Sequence, residues 1–550
     1  SNVLVGGVTG DALTTGSYNI AVGTSALSTD TLGSRNIAIG QEALSTQNFT
    51  TATDSYNIGV GFYAGRVITT GQGNNIIGGL AGDALTEGGP NTIMGHRAMS
   101  TDTKGSKSVA IGAYTLYNQN FTTATDTYNT AVGVDAGLSV TTGVQNTLIG
   151  GLAGDATTDA DRNVALGYNA LGTNTVGSRS VAVGTGALLT QNPATATDMY
   201  NVAVGDDTGK LITTGGHNVL IGGLTGDAIT SGNSNVAVGY QALSADTLGD
   251  RNVAMGLQAL LTQNFTTSTD SYNTAVGYAA GTLITTGINN TLIGGLVGDA
   301  LIDADDNIAM GRGALSSDTY GSKSTALGRN ALTTQNFTTA TDSHNTAVGN
   351  LAGQSITTGV QNVLLGSLAG DAIQTGDENI VIGYDSDTSA TSSTNQIVMG
   401  RGVTGNANLS FCFGEAANDS AIAFGATSIT APSDVRLKED IQDEKVGLAF
   451  INELRPVTFR WKKAKDVPED MKAHVPDSEE RVMNGKYNHG FVAQEVKEVI
   501  DRYDLKEGFD MWTEDEMDGR QRIGEGALVP MLTKAIQELS AKVEVLEKQL

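Results

Sequence analysis

The chain has 550 residues, 39% hydrophobic and only 5% aromatic, with 71 glycines, one cysteine and a formal net charge of −26. A single cysteine excludes intrachain disulfides, and the acidic balance argues against nucleic acid or an anionic membrane as partner. No apolar run approaches membrane-spanning length, so no membrane insertion is expected.

From the first residues the chain is in mid-repeat. Asn2–Gly7 (NVLVGG) matches Asn218–Gly223 (NVLIGG) position for position. This predicts a natural protein that extends upstream, with its attachment to other proteins in the missing N-terminal part. The recurring unit is Asn-x-Ala-x-Gly with apolar residues at both x positions, as in Asn19–Gly23 (NIAVG), Asn163–Gly167 (NVALG) and Asn235–Gly239 (NVAVG). Its closing glycine recurs from Gly6 to Gly400 at intervals of 17 residues, with every fourth interval lengthened to 21, giving a 72-residue superrepeat (17+17+21+17).

A three-residue apolar–Ala–apolar alternation has the period of a short strand, and glycine ends it where another backbone comes close. One such unit cannot bury its own apolar positions, so units must stack. Residues 1–400 are therefore expected to form a β-solenoid, or β-roll, of about 23 short coils. The asparagine is expected to cap a turn or to build a side-chain ladder. The small alanine and the slim coil predict a core shared by three parallel chains. This repeat resembles the left-handed β-roll heads of trimeric autotransporter adhesins in its strand motif, and departs from them in coil length and in the periodic insert.

The long intervals contain QNFTTATD or close copies, ending at Asp54, Asp126, Asp198, Asp270 and Asp342. Each insert is expected to bulge outward. Phe49, Phe121, Phe265 and Phe337 then either stack on sugars from the surface or fold back to seal a seam between subunits. Asp83, Asp155, Asp227, Asp299 and Asp371, in GGLAGDA-type segments, are expected as turn residues, with cation binding across a trimer as the competing reading.

Residues 401–432 lose the strict period and gain Phe411, Phe413 and Phe424, which suits a β neck or stalk. Cys412 is expected to be a buried core residue.

At Ser433 the composition changes: residues 433–550 carry 45 charged side chains, as many as the 432 residues before them. The segments SDVRLKEDI (Ser433–Ile441), LRPVTFRW (Leu454–Trp461), NHGFVAQEV (Asn488–Val496) and ALVPMLTKAIQEL (Ala527–Leu539) follow in that order. Together they resemble the intramolecular chaperone domain at the C-terminus of phage tailspikes and tail fibres such as endosialidases. The resemblance implies a domain that trimerises, guides the upstream β-rich fibre to fold, and then cuts itself off with a serine–lysine dyad. On matching positions Ser433 is the nucleophile and Lys438 its general base, which requires a neutral lysine. His489 and Glu495 are weaker supporting candidates. The bond cut adjoins Ser433, at Ser433–Asp434 or Pro432–Ser433. No cofactor and no metal are implied.

Leu532, Ile536, Leu539, Val543, Leu546 and Leu550 repeat at 4-3-4-3-4 spacing, the a/d seam of a coiled coil. The fold class expected is mainly β: a trimeric β-solenoid followed by an α+β chaperone domain at 433–550 that ends in a coiled-coil helix. The expected function is a homotrimeric phage tail fibre that is assembled in the host cytoplasm and carried on the virion. It meets a host cell-surface receptor, a glycan or an outer-surface protein. The alternatives are a structural spacer without a receptor site and a glycan-depolymerising tailspike.

Overall fold

The computed structural model describes every residue except 427, 506–508, 516–518 and 550. Two compact units divide the chain, Ser1–Pro432 and Ser433–Leu550. The first is a β-solenoid. Each Asn-x-Ala-x-Gly unit forms a three-residue strand that pairs in parallel with its successor in full register, as in Ile20↔Ile37, Ala21↔Ala38 and Val22↔Ile39. The sequence period is therefore one rung per unit.

The central strand residue points inward and is fully buried, whether alanine (Ala21, Ala38, Ala165) or larger (Ile76, Leu148, Leu220). Its neighbours face outward and are half-buried or exposed. Where the central residue is small, the space beside it is taken by the chain's own second turn. At Gly59, in the alanine position, a Cβ would stand 2.8 Å from Leu44 Cγ and 3.2 Å from Ala64 O. Ala26, Leu27 and their counterparts fill the rest of the interior, so one chain closes its own core. Any second copy must meet the outward flanks instead.

The recurring asparagine builds the expected ladder. Asn19 Oδ1 accepts from both the backbone N and the Nδ2 of Asn36, at 2.9 and 3.1 Å, while Asn19 Nδ2 donates to Gly33 O at 2.9 Å. Each buried amide thus satisfies backbone groups on its own and the next rung, where an unpaired one would cost about 1–3 kcal/mol. The closing glycines stack backbone on backbone. Gly239 has φ +135°, and a Cβ there would lie 2.5 Å from Gly256 O.

At each insert a second, two-residue parallel ladder forms, as between Gly33–Ser34 and Thr53–Asp54. Asp30 holds the insert by accepting from Gly33 N at 3.0 Å and Gln47 Nε2 at 2.7 Å. The four insert phenylalanines are buried, at 4–7% exposure, against their own chain. Of the two placements open to these rings, the exposed sugar-stacking row is thereby excluded. Phe337 lies beside Gly321, where a Cβ would stand 2.8 Å from the ring.

In residues 401–432, Ser410–Glu415 adds a further parallel rung on Gln396–Arg401. Asn418–Ala423 then pairs antiparallel with it, ending the parallel series. Cys412 is fully buried in this last part of the core.

The second unit is α+β. Its core packs Phe450, Leu454, Val496, Val499, Ile500, Met511 and Leu528. These come from helix α1 (Leu448–Glu453), helix α2 (Ala493–Arg502) and the segments leading into Trp512–Glu514 and helix α3 (Val529–Glu547). Val457–Phe459 pairs antiparallel with Asn488–Gly490. Pro530 sits in the first turn of α3, where its missing N–H has no intrahelical partner to lose. Among the described residues no helix is long and apolar enough to cross a membrane.

Candidate functional site

The sequence SDVRLK folds into a single 3-10 turn over Val435–Leu437. Asp434 caps it, accepting from Arg436 N at 2.9 Å, and a fork of contacts from the Arg436 guanidinium fixes the same carboxylate. That guanidinium holds the Asp434 carboxyl below the usual aspartate range. The turn brings residues 433 and 438 together: Lys438 Nζ donates to Ser433 Oγ at 2.7 Å. A nucleophile and a base within hydrogen-bond reach are what hydroxyl activation requires. Both side chains are exposed in the single chain.

His489 and Glu495 are engaged with other partners. His489 lies opposite Thr458 in the antiparallel pair, its Nδ1 3.3 Å from Thr458 Oγ1. Glu495, in the first turn of α2, forms an ion pair with Arg455, which lowers its carboxyl from the ordinary glutamate range. Their contacts hold the Val457–Phe459 strand and α2 in place.

Sequence reasoning missed one contact that ties the unit together. Glu538, midway along α3, accepts from Leu448 N at 3.0 Å and so caps α1 from 90 residues away. The α1 N-terminus has Gly447 at its cap and no capping side chain of its own. That lack was the only local signal.

On α3 the predicted seam is unpartnered within the chain: Leu532, Ile536, Leu539, Val543 and Leu546 are 42–67% exposed. Leu550, its last predicted member, lies outside the described residues. In the solenoid, Asp83 and Asp227 accept hydrogen bonds from the hydroxyls of Ser100 and Ser244 one rung on. Burial raises the carboxyls of Asp155 and Asp299 above the ordinary aspartate range.

Residues 433–505 match the family described as chaperone of endosialidase. That family is one of self-cleaving peptidase chaperones, and the matched stretch begins at Ser433 itself. A β-solenoid followed by such a unit fits a tail-fibre or tailspike-like protein with an intramolecular chaperone. No curated protein and no solved structure matches the chain.

Proposed function

We propose that the chain is a homotrimeric phage tail fibre whose C-terminal unit assembles three copies in register and then removes itself. The observation that carries this is the 2.7 Å contact of Lys438 Nζ with Ser433 Oγ, at the first residue of the matched stretch. Lys438 Nζ takes the Ser433 hydroxyl proton, and Oγ attacks an adjoining carbonyl carbon. The proton passes to the departing amine, and water hydrolyses the resulting ester. The bond is Pro432–Ser433, cut by an N-to-O shift onto Oγ, or Ser433–Asp434, for which the ester formed within the residue is a four-membered lactone.

A lysine serves as base only when neutral, a form that removal from water favours. The exposed dyad of the single chain is therefore completed by being covered, which couples the cut to assembly. Two surfaces support three-fold association: the apolar seam of α3, and the outward strand flanks such as Leu166 and Met255, each more than 40% exposed. Rungs this alike can pair in many registers, and a slip by one superrepeat costs little locally. A trimerising clamp sets the register before the solenoid zips, and the cut removes the reverse path. The mature fibre is carried on the virion and adheres to the host surface.

Intact mass and a denaturing gel of the expressed chain test the cleavage. Wild type should yield two pieces that meet at Ser433, while Ser433→Ala and Lys438→Ala stay whole. An uncut wild-type chain, or a cut Ser433→Ala chain, contradicts the proposal.

A further inference from the structure

Each insert ends in an Asp-x-Tyr or Asp-x-His step, and that step meets a cation from the rung before it. Tyr56, Tyr128, Tyr200 and Tyr272 recur at 72-residue spacing and are 46–56% exposed. The cations Arg35, Lys107, Arg179 and Arg251 lie over those rings at 5.7, 5.0, 5.6 and 5.6 Å from the centroids. The same cations pair with Asp54, Asp126, Asp198 and Asp270. In the fifth copy Lys323 pairs with Asp342 at 2.5 Å, and His344 replaces the tyrosine.

Stability does not account for these clusters. The tyrosines stand at φ 49–52°, left-handed backbone that other rungs fill at the same position with glycine or asparagine (Gly73, Asn289) and more often with other long side chains (Gln145, Arg162, Gln361). A bulky residue there costs about 1–2 kcal/mol. An exposed ion pair returns about 0–1 kcal/mol and an exposed cation–π contact about 0.5–1 kcal/mol. The return roughly cancels the strain and leaves the choice of tyrosine unexplained.

The third copy separates surface from interior. The buried clamp Asp30, Asp102, Asp246 and Asp318 becomes Asn174 there, the insert phenylalanine becomes Pro193, and Met199 stands where Ser55 or Thr127 stood. Gln191 Nε2 is left without a hydrogen-bond partner. The exposed trio nevertheless persists, with Arg179 and Asp198 paired at 2.8 Å and Arg179 over Tyr200.

We infer that these exposed aromatic–cation–carboxylate clusters are repeated subsites for a neutral cell-surface polysaccharide. The inference rests on the host-adhesion reading above. A half-exposed phenol ring offers a flat apolar face to the C–H face of a sugar ring. Beside it the carboxylate accepts from sugar hydroxyls and the cation donates to them. Each cluster has no net charge, and residues 1–432 hold 32 acidic against 13 basic side chains, so a polyanionic glycan is repelled. Successive clusters lie four rungs apart, about 19 Å at the usual strand spacing. A repeating polymer can therefore engage several at once, with avidity of about 10²–10⁴ over one site.

The test compares the wild-type protein with the combined Y56A/Y128A/Y200A/Y272A variant and its Tyr→Phe counterpart. Each is titrated on a printed panel of neutral bacterial polysaccharides and on live bacteria, with sedimentation and thermal unfolding run in parallel. Wild type should bind at least one polysaccharide, the alanine variant should lose about 100-fold or more, and the phenylalanine variant should bind within a few-fold of wild type. Wild type that binds cells but no polysaccharide, or an alanine variant that binds as wild type does, overturns the inference and leaves adhesion standing. Wild type that binds neither overturns both. An alanine variant that changes sedimentation or melts early marks the clusters as braces, and also overturns it.

Discussion

Leu148 and Gly154 divide one interior volume between them: a Cβ on Gly154 would stand 2.8 Å from Leu148 Cδ2, and one on Gly137 equally close to Leu148 Cδ1. In the next rung the strand centre is alanine, Ala165, and the position equivalent to Gly154 is a fully buried leucine, Leu171. These two neighbouring rungs thus keep the interior filled by exchanging where the bulk sits. Leu148→Ala should cost about 2–5 kcal/mol. Adding Gly154→Leu, which copies the Ala165/Leu171 arrangement, should recover part of that loss. Hydrogen exchange of the amides in this rung measures both, and a double variant no more protected than the single would refute the exchange.

Gly239 and Gly295 predict opposite outcomes for the same substitution. Gly239→Ala forces a methyl to within 2.5 Å of Gly256 O at φ +135°, whereas a Cβ on Gly295 meets nothing within 4 Å. The first should abolish soluble, protease-resistant solenoid, and the second should leave its melting temperature unchanged within a degree or two. Equal tolerance at both sites would mean the glycine stack is not what sets rung spacing.

Asn235 accepts from Asn252 N and Asn252 Nδ2 and donates to Gly249 O. Asn235→Ala leaves those groups buried and unpaired, for a loss of about 1–3 kcal/mol. Asn235→Ser should cost less, because serine stands in the same ladder at Ser108 and Ser324. Denaturant midpoints of the two variants give the comparison.

Near the end of the solenoid, Asp387 accepts from Ala372 N and Thr388 N, at 2.9 and 3.1 Å. Burial first, and then the neighbouring Asp371 carboxyl, push it from the ordinary 3.8 up to about 7. The folded chain thus holds more protons than the unfolded one between about pH 4 and 7, so stability falls as pH rises through that window. Asp102, Asp246 and Asp318, raised by burial, add slope of the same sign. Asp387→Asn should flatten the upper part of the curve, near pH 7. Unfolding midpoints measured from pH 4 to 8 test this, and an unchanged slope in the variant would remove Asp387 as its source.

Most of the solenoid is legible in the sequence because each rung repeats the same demands: asparagine for the ladder, a buried centre and a closing glycine. The strand at Asn235–Gly239 needs no distant information. The insert phenylalanines were ambiguous because the residue that holds the insert, Asp30, lies 17 residues before Gln47 and 19 before Phe49. The Ser433–Lys438 contact was readable because one turn of chain makes it. Glu538 over Leu448 was not, since no local pattern announces a cap supplied from 90 residues away. The αL tyrosines escaped notice because nothing in the string DSYN or DTYN marks a positive φ.

The claim on which the account turns is that the C-terminal unit gathers three chains before it cuts. Native mass spectrometry of the full-length Ser433→Ala chain tests it most directly, because that variant keeps the unit attached. The account predicts three uncleaved copies in one particle; a monomer or a dimer would contradict it.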